Sequence, residues 1–131
     1  MSAPRRGWVV LALVSAVLLV YAQALGFEFV RYDDPDYVLE NPAVRGGLSM
    51  DGLRWAFGAA HASNWHPLTW LAHMLDVELF QLAPAGHHGA SVFWHALATV
   101  LCFLALRALS ARPWESAAVA ALFALHPLRV E

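Results

Sequence analysis

The chain has 131 residues, 60% of them apolar and only 14% charged, with a formal net charge of −2. Soluble domains cover themselves with about 25% charged residues, so this composition excludes an ordinary water-soluble globule and indicates a membrane protein. All the basic residues besides histidine are arginines scattered along the chain, which leaves no basic face for nucleic acid.

Residues 8–27 form an apolar run interrupted only by Ser15 and Gln23. At about 1.5 Å per residue such a run crosses the hydrocarbon layer, so it reads as a first transmembrane helix with Arg5 and Arg6 holding its start in the cytoplasm. The same stretch, ending in Ala22-Gln23-Ala24, also satisfies the pattern of a cleavable signal peptide; either reading sends the following segment across the membrane. That segment, 28–87, carries eight acidic residues against three arginines. It is too long for a bare loop, and its periodicity predicts short amphipathic helices at the membrane surface. Ser49 is placed to cap a helix carrying Met50, Leu53 and Phe57 on one stripe. Over 67–82, Leu68, Leu71, Leu75, Leu79 and Leu82 recur at helical spacing while His66, Thr69, His73 and Asp76 share another face. Pro84-Ala85-Gly86 is expected to end that helix and turn the chain.

A second apolar run, 89–106, contains His95 and ends at Arg107; its helix is expected over 88–109. Burying His95 in a span requires a partner, either a functional one or an interhelical hydrogen bond. Cys102 lies in the same run and has no second cysteine to pair with, so it reads as a core residue. The third run, 114–126, is too short to span comfortably and reads as a re-entrant half-helix or as the start of a third span in the front part of a longer protein. Arg107 and Arg112 fall on the same side as Arg5 and Arg6, which puts 28–87 outside. The expected fold is an all-α membrane protein of about three transmembrane or re-entrant helices with interfacial helices in a large first outer loop.

Chemistry concentrates in Tyr32-Asp33-Asp34-Pro35-Asp36-Tyr37, just beyond the first span. A carboxylate there can take a proton from an attacking hydroxyl or hold a divalent cation against a phosphate. Asp34 before Pro35 is equally a good helix cap. Five of the seven histidines lie in or beside the outer segment. His66 and His73 are two turns apart, wider than a helical zinc pair, and no second cysteine is present, so spacing alone gives no metal signature. Arg129 and Glu131 follow the third run, where an arginine fork can hold phosphate or pair with a carboxylate.

The ordered blocks YDDPDYVLENPAV, NWHPLTWLAHMLD, LFQLAPAGHHGASVFWHAL and ALFALHPLRVE resemble the N-terminal part of bacterial membrane proteins related to the transmembrane and tetratricopeptide-repeat protein O-mannosyltransferases. The resemblance runs from Phe27 to Glu131. It implies a partial GT-C glycosyltransferase architecture in the inner membrane, with loop 28–87 on the periplasmic side and a tetratricopeptide array farther on. It further implies transfer of a sugar, mannose in this family, from a polyprenyl-phosphate donor to a serine or threonine hydroxyl of an acceptor protein. Asp33 and Asp34 match the acidic pair of the first loop, one of them the implied base. Asp36, His66, His87, His88, Arg129 and Glu131 fall in the matching blocks as implied substrate-binding residues. The cofactor requirement stays undetermined, with a divalent cation open and no metal ligands assigned. Membrane lipid, the lipid-linked donor and the acceptor protein are the expected partners. The family continues through further spans, so residues 1–131 alone are not expected to catalyse transfer. The rival reading is a non-catalytic membrane scaffold whose outer loop docks a partner and whose Asp34 serves as a cap.

Overall fold

The computed structural model describes residues 3–61 and 63–126, so Arg129 and Glu131 lie outside the described residues. The helices are α1 (Ala3–Tyr21), α2 (Pro42–Arg45), α3 (Met50–Gly58), α4 (Pro67–Phe80), α5 (Pro84–Ser110) and α6 (Pro113–Leu125). A 3₁₀ turn occupies Ala22–Gly26 and a π-helical turn Pro35–Leu39. No β-strand occurs among the described residues; a single bridge joins His61 and Asn64. The molecule is an all-α membrane protein that divides into two compact units, one made of residues up to Ala24 and from Gly89 onward, the other Leu25–His88.

The first unit holds the apolar helices. Two segments are long and apolar enough to span, Arg5–Gly26 with 22 residues and Pro84–Ser110 with 27, whereas α6 has only 13. At about 1.5 Å per residue α6 covers roughly 20 Å, two thirds of a hydrocarbon layer. Leu13 of α1 and Phe103 of α5 pack with Ala120 of α6, and Val17, Val92 and Ala124 form a second cluster. Alanines at 117, 120, 121 and 124 give α6 a flank without bulk, which lets helix backbones approach closely in an apolar solvent. The opposite sides remain bare: Leu19 is 85% exposed and Leu122 74%, surfaces suited to lipid rather than water. His95 is buried and donates Nε2–H to the Ala124 carbonyl at 2.9 Å, its ring stacked on Phe123 and edge-on to Tyr21. The interhelical hydrogen bond is therefore what accommodates this imidazole.

The loop unit folds around α4. Ser49 caps α3 as its position predicts, its Oγ accepting from Gly52 N at 3.0 Å, and Asn41 caps α2 by accepting from Ala43 N and Val44 N. The α3 face turned inward carries Gly52 and Ala56, small enough for the helix to sit against Met74. Met50, Leu53 and Phe57 consequently face outward. On α4 the buried stripe is Trp70, Met74 and Val77, which pack with Val38, Val44 and Ala56. This stripe is offset by one residue, about 100°, from the leucine row, so Leu71, Leu75 and Leu82 flank it while Leu68 and Leu79 are exposed.

The turn after α4 differs from the expectation that Pro84-Ala85-Gly86 would form it. Gln81, at φ 56°, reverses the chain directly after Phe80, and Pro84 already occupies the first turn of α5, where its fixed φ and missing N–H cost nothing. The helix thus begins before the 88–109 span and carries His87 and His88 in its opening turns. Gly86 is required here because a Cβ would strike the ring and Cβ of Phe80, and ring rotation cannot relieve a clash with Cβ. Gly86→Ala should destabilise the loop unit by about 1–3 kcal/mol, seen as faster limited proteolysis between residues 28 and 87 with membrane insertion intact.

Candidate functional site

The acidic segment is pinned through its backbone. Asp34 has helical φ and ψ and makes no side-chain cap; its Oδ2 instead accepts from Val30 N at 2.6 Å, four residues earlier. This disposes of the capping role that the sequence Asp34-Pro35 suggests, and it fixes the carboxylate by a charge-assisted bond. The following π-helical turn closes with Glu40 N donating to Pro35 O at 2.8 Å, a geometry found disproportionately at functional sites. Beyond it, the turn 61–64 closes on itself through His61 N to Asn64 O and Asn64 N to His61 O. From that turn His61 Nε2 donates to Asp36 O at 3.0 Å and Asn64 Nδ2 to Tyr37 Oη at 3.0 Å. The bend of Asp33–Tyr37 is therefore held from both sides. Asp34 is half-buried, whereas the Asp33 and Asp36 side chains are exposed.

Behind Asp34 stands a core of aromatic and imidazole rings. Trp70 is fully buried, with ring centroids 4.8 Å from Tyr37, 4.7 Å from His66, 5.3 Å from Trp55 and 5.5 Å from His61. Tyr37 also meets His73 edge-on. Phe29 lies 5.3 Å from His87 and 6.0 Å from His88. His73 and Asp76, one turn apart on α4, meet His87 at the start of α5, and one ligand atom from each lies within 4.8 Å of the other two. His87 donates Nε2–H to the Gln81 carbonyl at 2.8 Å.

Among the described residues, four imidazole nitrogens of this unit are buried without a hydrogen-bond partner: His66 Nε2, His73 Nδ1, His87 Nδ1 and His88 Nε2. Leaving a buried polar group unpaired costs about 1–3 kcal/mol, so such a cluster is uncommon in a core shaped by stability alone. Burial, reinforced by His87 and His66 and opposed by Asp34, lowers the His73 pKa to about 4; the ring is neutral at physiological pH. Burial likewise raises the Asp76 carboxyl, with His87 opposing. The two ion pairs among the described residues are Arg54–Asp51 and Arg112–Glu115, so among those residues no arginine pairs with Asp76. The action of Asp34 on His73 puts that carboxylate within electrostatic reach of the cluster.

Of the residues singled out from sequence, Asp34, His66 and His87 thus belong to one neighbourhood, with His88 at its Phe29 edge. Asp33 and Asp36 flank it from the surface. The residues that sequence reading left without a role are Tyr37, Trp70, His73 and Asp76. The signal for the last two was their i, i+3 spacing, which gains a third member only when the turn at Gln81 brings His87 back.

Set against curated proteins, the chain is 35% identical over 126 residues to Protein O-mannosyl-transferase Tmtc2 of Drosophila melanogaster, covering 89% of this chain and 13% of that protein. It is also 35% identical over 130 residues to Protein O-mannosyl-transferase Tmtc1 of the same organism, covering 92% of this chain and 15% of that one. No family profile matches the chain, and no solved structure matches it. The chain is related to these O-mannosyltransferases over most of its length, while spanning a small part of theirs.

Proposed function

We propose that this chain contributes the acceptor-activating part of a membrane glycosyltransferase that moves mannose from a polyprenyl-phosphate donor to a serine or threonine hydroxyl of a protein. The observation that carries the reading is Asp34: a carboxylate oriented by the Val30 amide, half-buried beside a histidine-rich core, in a chain related to O-mannosyltransferases. In this reading the loop unit lies on the outer face of the membrane and the N-terminus in the cytoplasm, as the arginine distribution favours, and the helical unit is part of a GT-C architecture.

Transfer forms a bond between the acceptor oxygen and the anomeric carbon and breaks the bond from that carbon to the phosphate oxygen. The hydroxyl proton goes to Asp34, and the electron pair of the broken bond leaves with the lipid phosphate. A base within hydrogen-bond reach of the hydroxyl raises its nucleophilicity as the bond forms. Asp34 fits this role better than Asp33 because its oxygens are positioned before substrate arrives, whereas an exposed aspartate must be ordered during the reaction. His66 and His88 offer buried ring nitrogens that an acceptor or sugar hydroxyl can satisfy, and Asp36 stands at the entrance. Arg129 and Glu131, outside the described residues, are proposed as further substrate-binding residues, with phosphate binding the natural role of the arginine fork.

The test is transfer of labelled mannose from polyprenyl phosphate to a serine- and threonine-containing acceptor in membranes bearing the complete glycosyltransferase to which this chain contributes, compared between the parent and Asp34→Asn. Label that enters an alkali-labile protein linkage only with Asp34 intact supports the reading; equal transfer by both contradicts it.

A further inference from the structure

His73 and Asp76 project from successive turns of α4 toward His87, and Asp76 and His87 are 7% and 5% exposed. The hydrogen bonds decide which nitrogen is available. His87 donates Nε2–H to the Gln81 carbonyl, so its Nδ1 keeps a bare lone pair, and that atom is buried without a partner. A ring N–H tied to a backbone carbonyl, with the other nitrogen left open, is the arrangement that metal-ligating histidines adopt. His73 Nδ1 is buried and unpartnered in the same way. His66 and His88 also have bare buried nitrogens, but among the described residues the convergent set is His73, Asp76 and His87.

We propose that His73, Asp76 and His87 bind one divalent cation of the zinc class. Two imidazoles and one carboxylate form a borderline ligand set that suits zinc and its transition-metal neighbours, and it is poorly matched to magnesium or calcium, which take oxygen ligands. Donor atoms around a tetrahedral zinc ion stand about 3.3 Å apart, so side-chain rotations that draw atoms now within 4.8 Å together by less than about 2 Å close the site. Three protein ligands leave a position for water or an anionic oxygen, as in open zinc sites. The ion satisfies the two orphaned nitrogens and supplies Asp76 with a full positive charge, which no arginine among the described residues gives it. The proposal stands on the geometry of the loop unit and is independent of sugar transfer.

The full chain, purified in detergent and stripped with a chelator, is titrated with cobalt(II) as a spectroscopic probe and then with zinc(II). The expected result is uptake of one cobalt equivalent, visible absorption bands from the bound ion, and their loss as zinc displaces it. Asp76→Asn and His87→Gln should weaken binding by at least about 100-fold, the upper range seen for loss of an outer-shell partner. His61→Gln, outside the trio, should bind as the parent does. Tryptophan fluorescence reports whether each variant is folded; Asp76→Asn preserves side-chain size and is the decisive one. Parent protein that takes up no stoichiometric ion overturns the site whatever the variants do, and so does folded Asp76→Asn with parental affinity. Retained binding in Asp34→Asn alongside lost transfer would separate this site from the catalytic assignment.

Discussion

Asp34→Asn is expected to lower sugar transfer by about 10²–10⁴-fold, the range that a positioned general base supplies. The carboxamide has the shape of the carboxylate and its oxygen can still accept from Val30 N, which Asp34 Oδ2 contacts at 2.6 Å. The bend before the π-helical turn should therefore survive, and the loss should fall on turnover with little change in acceptor KM, because the removed interaction strengthens only as the proton moves. Asp33→Asn is expected to cost far less. The backbone carbonyl of Asp33, not its side chain, accepts from Tyr37 N, and its carboxylate is exposed. Transfer that fell for Asp33→Asn and held for Asp34→Asn would reverse the assignment.

Trp70→Ala should have the largest effect on stability. Trp70 is wholly buried at the centre of the loop unit, touching rings from the acidic segment, from α3 and from the 61–64 turn. Removing a ring of this size from a closed core costs about 3–5 kcal/mol, a large fraction of what holds a small unit together. The loop should become protease-sensitive and transfer should vanish, while the two candidate spans still insert. Trp70→Phe should be much milder: it keeps most of the apolar ring and deletes an indole N–H that is buried without an acceptor, so the lost contacts are offset by a removed penalty. Equal damage from both substitutions would mean that this indole nitrogen makes a contact essential to the fold.

How much of this was legible in the sequence depends on which interactions are local. Hydropathy found both candidate spans because twenty apolar residues in a row have few other uses. Ser49 was readable as a cap because capping involves the next three residues only. The leucine row on α4 gave the helix but not its buried side. Trp70, Met74 and Val77 won that place through tertiary partners, notably the small Gly52 and Ala56 of α3, which amphipathic counting does not register. Asp34-Pro35 looked like a cap, yet the carboxylate turned back to Val30 because the chain was already helical at Asp34. The grouping of His73, Asp76 and His87 is not legible in the sequence for a related reason. Its third member arrives through a reversal at Gln81, whose left-handed backbone has none of the glycine or asparagine signals that usually mark such a turn.

In the proposed topology the segment around Asp34 faces the outer side of the membrane, where a lipid-borne sugar and a secreted acceptor can meet. The direct measurement places a cysteine at Tyr32, which is 82% exposed, in a Cys102→Ser background, and treats intact cells with a membrane-impermeant maleimide. The expected result is labelling of Tyr32→Cys without permeabilisation, as complete as after it. Labelling that begins only once the cytoplasm is opened would put Asp34 on the wrong side and contradict its role in transfer.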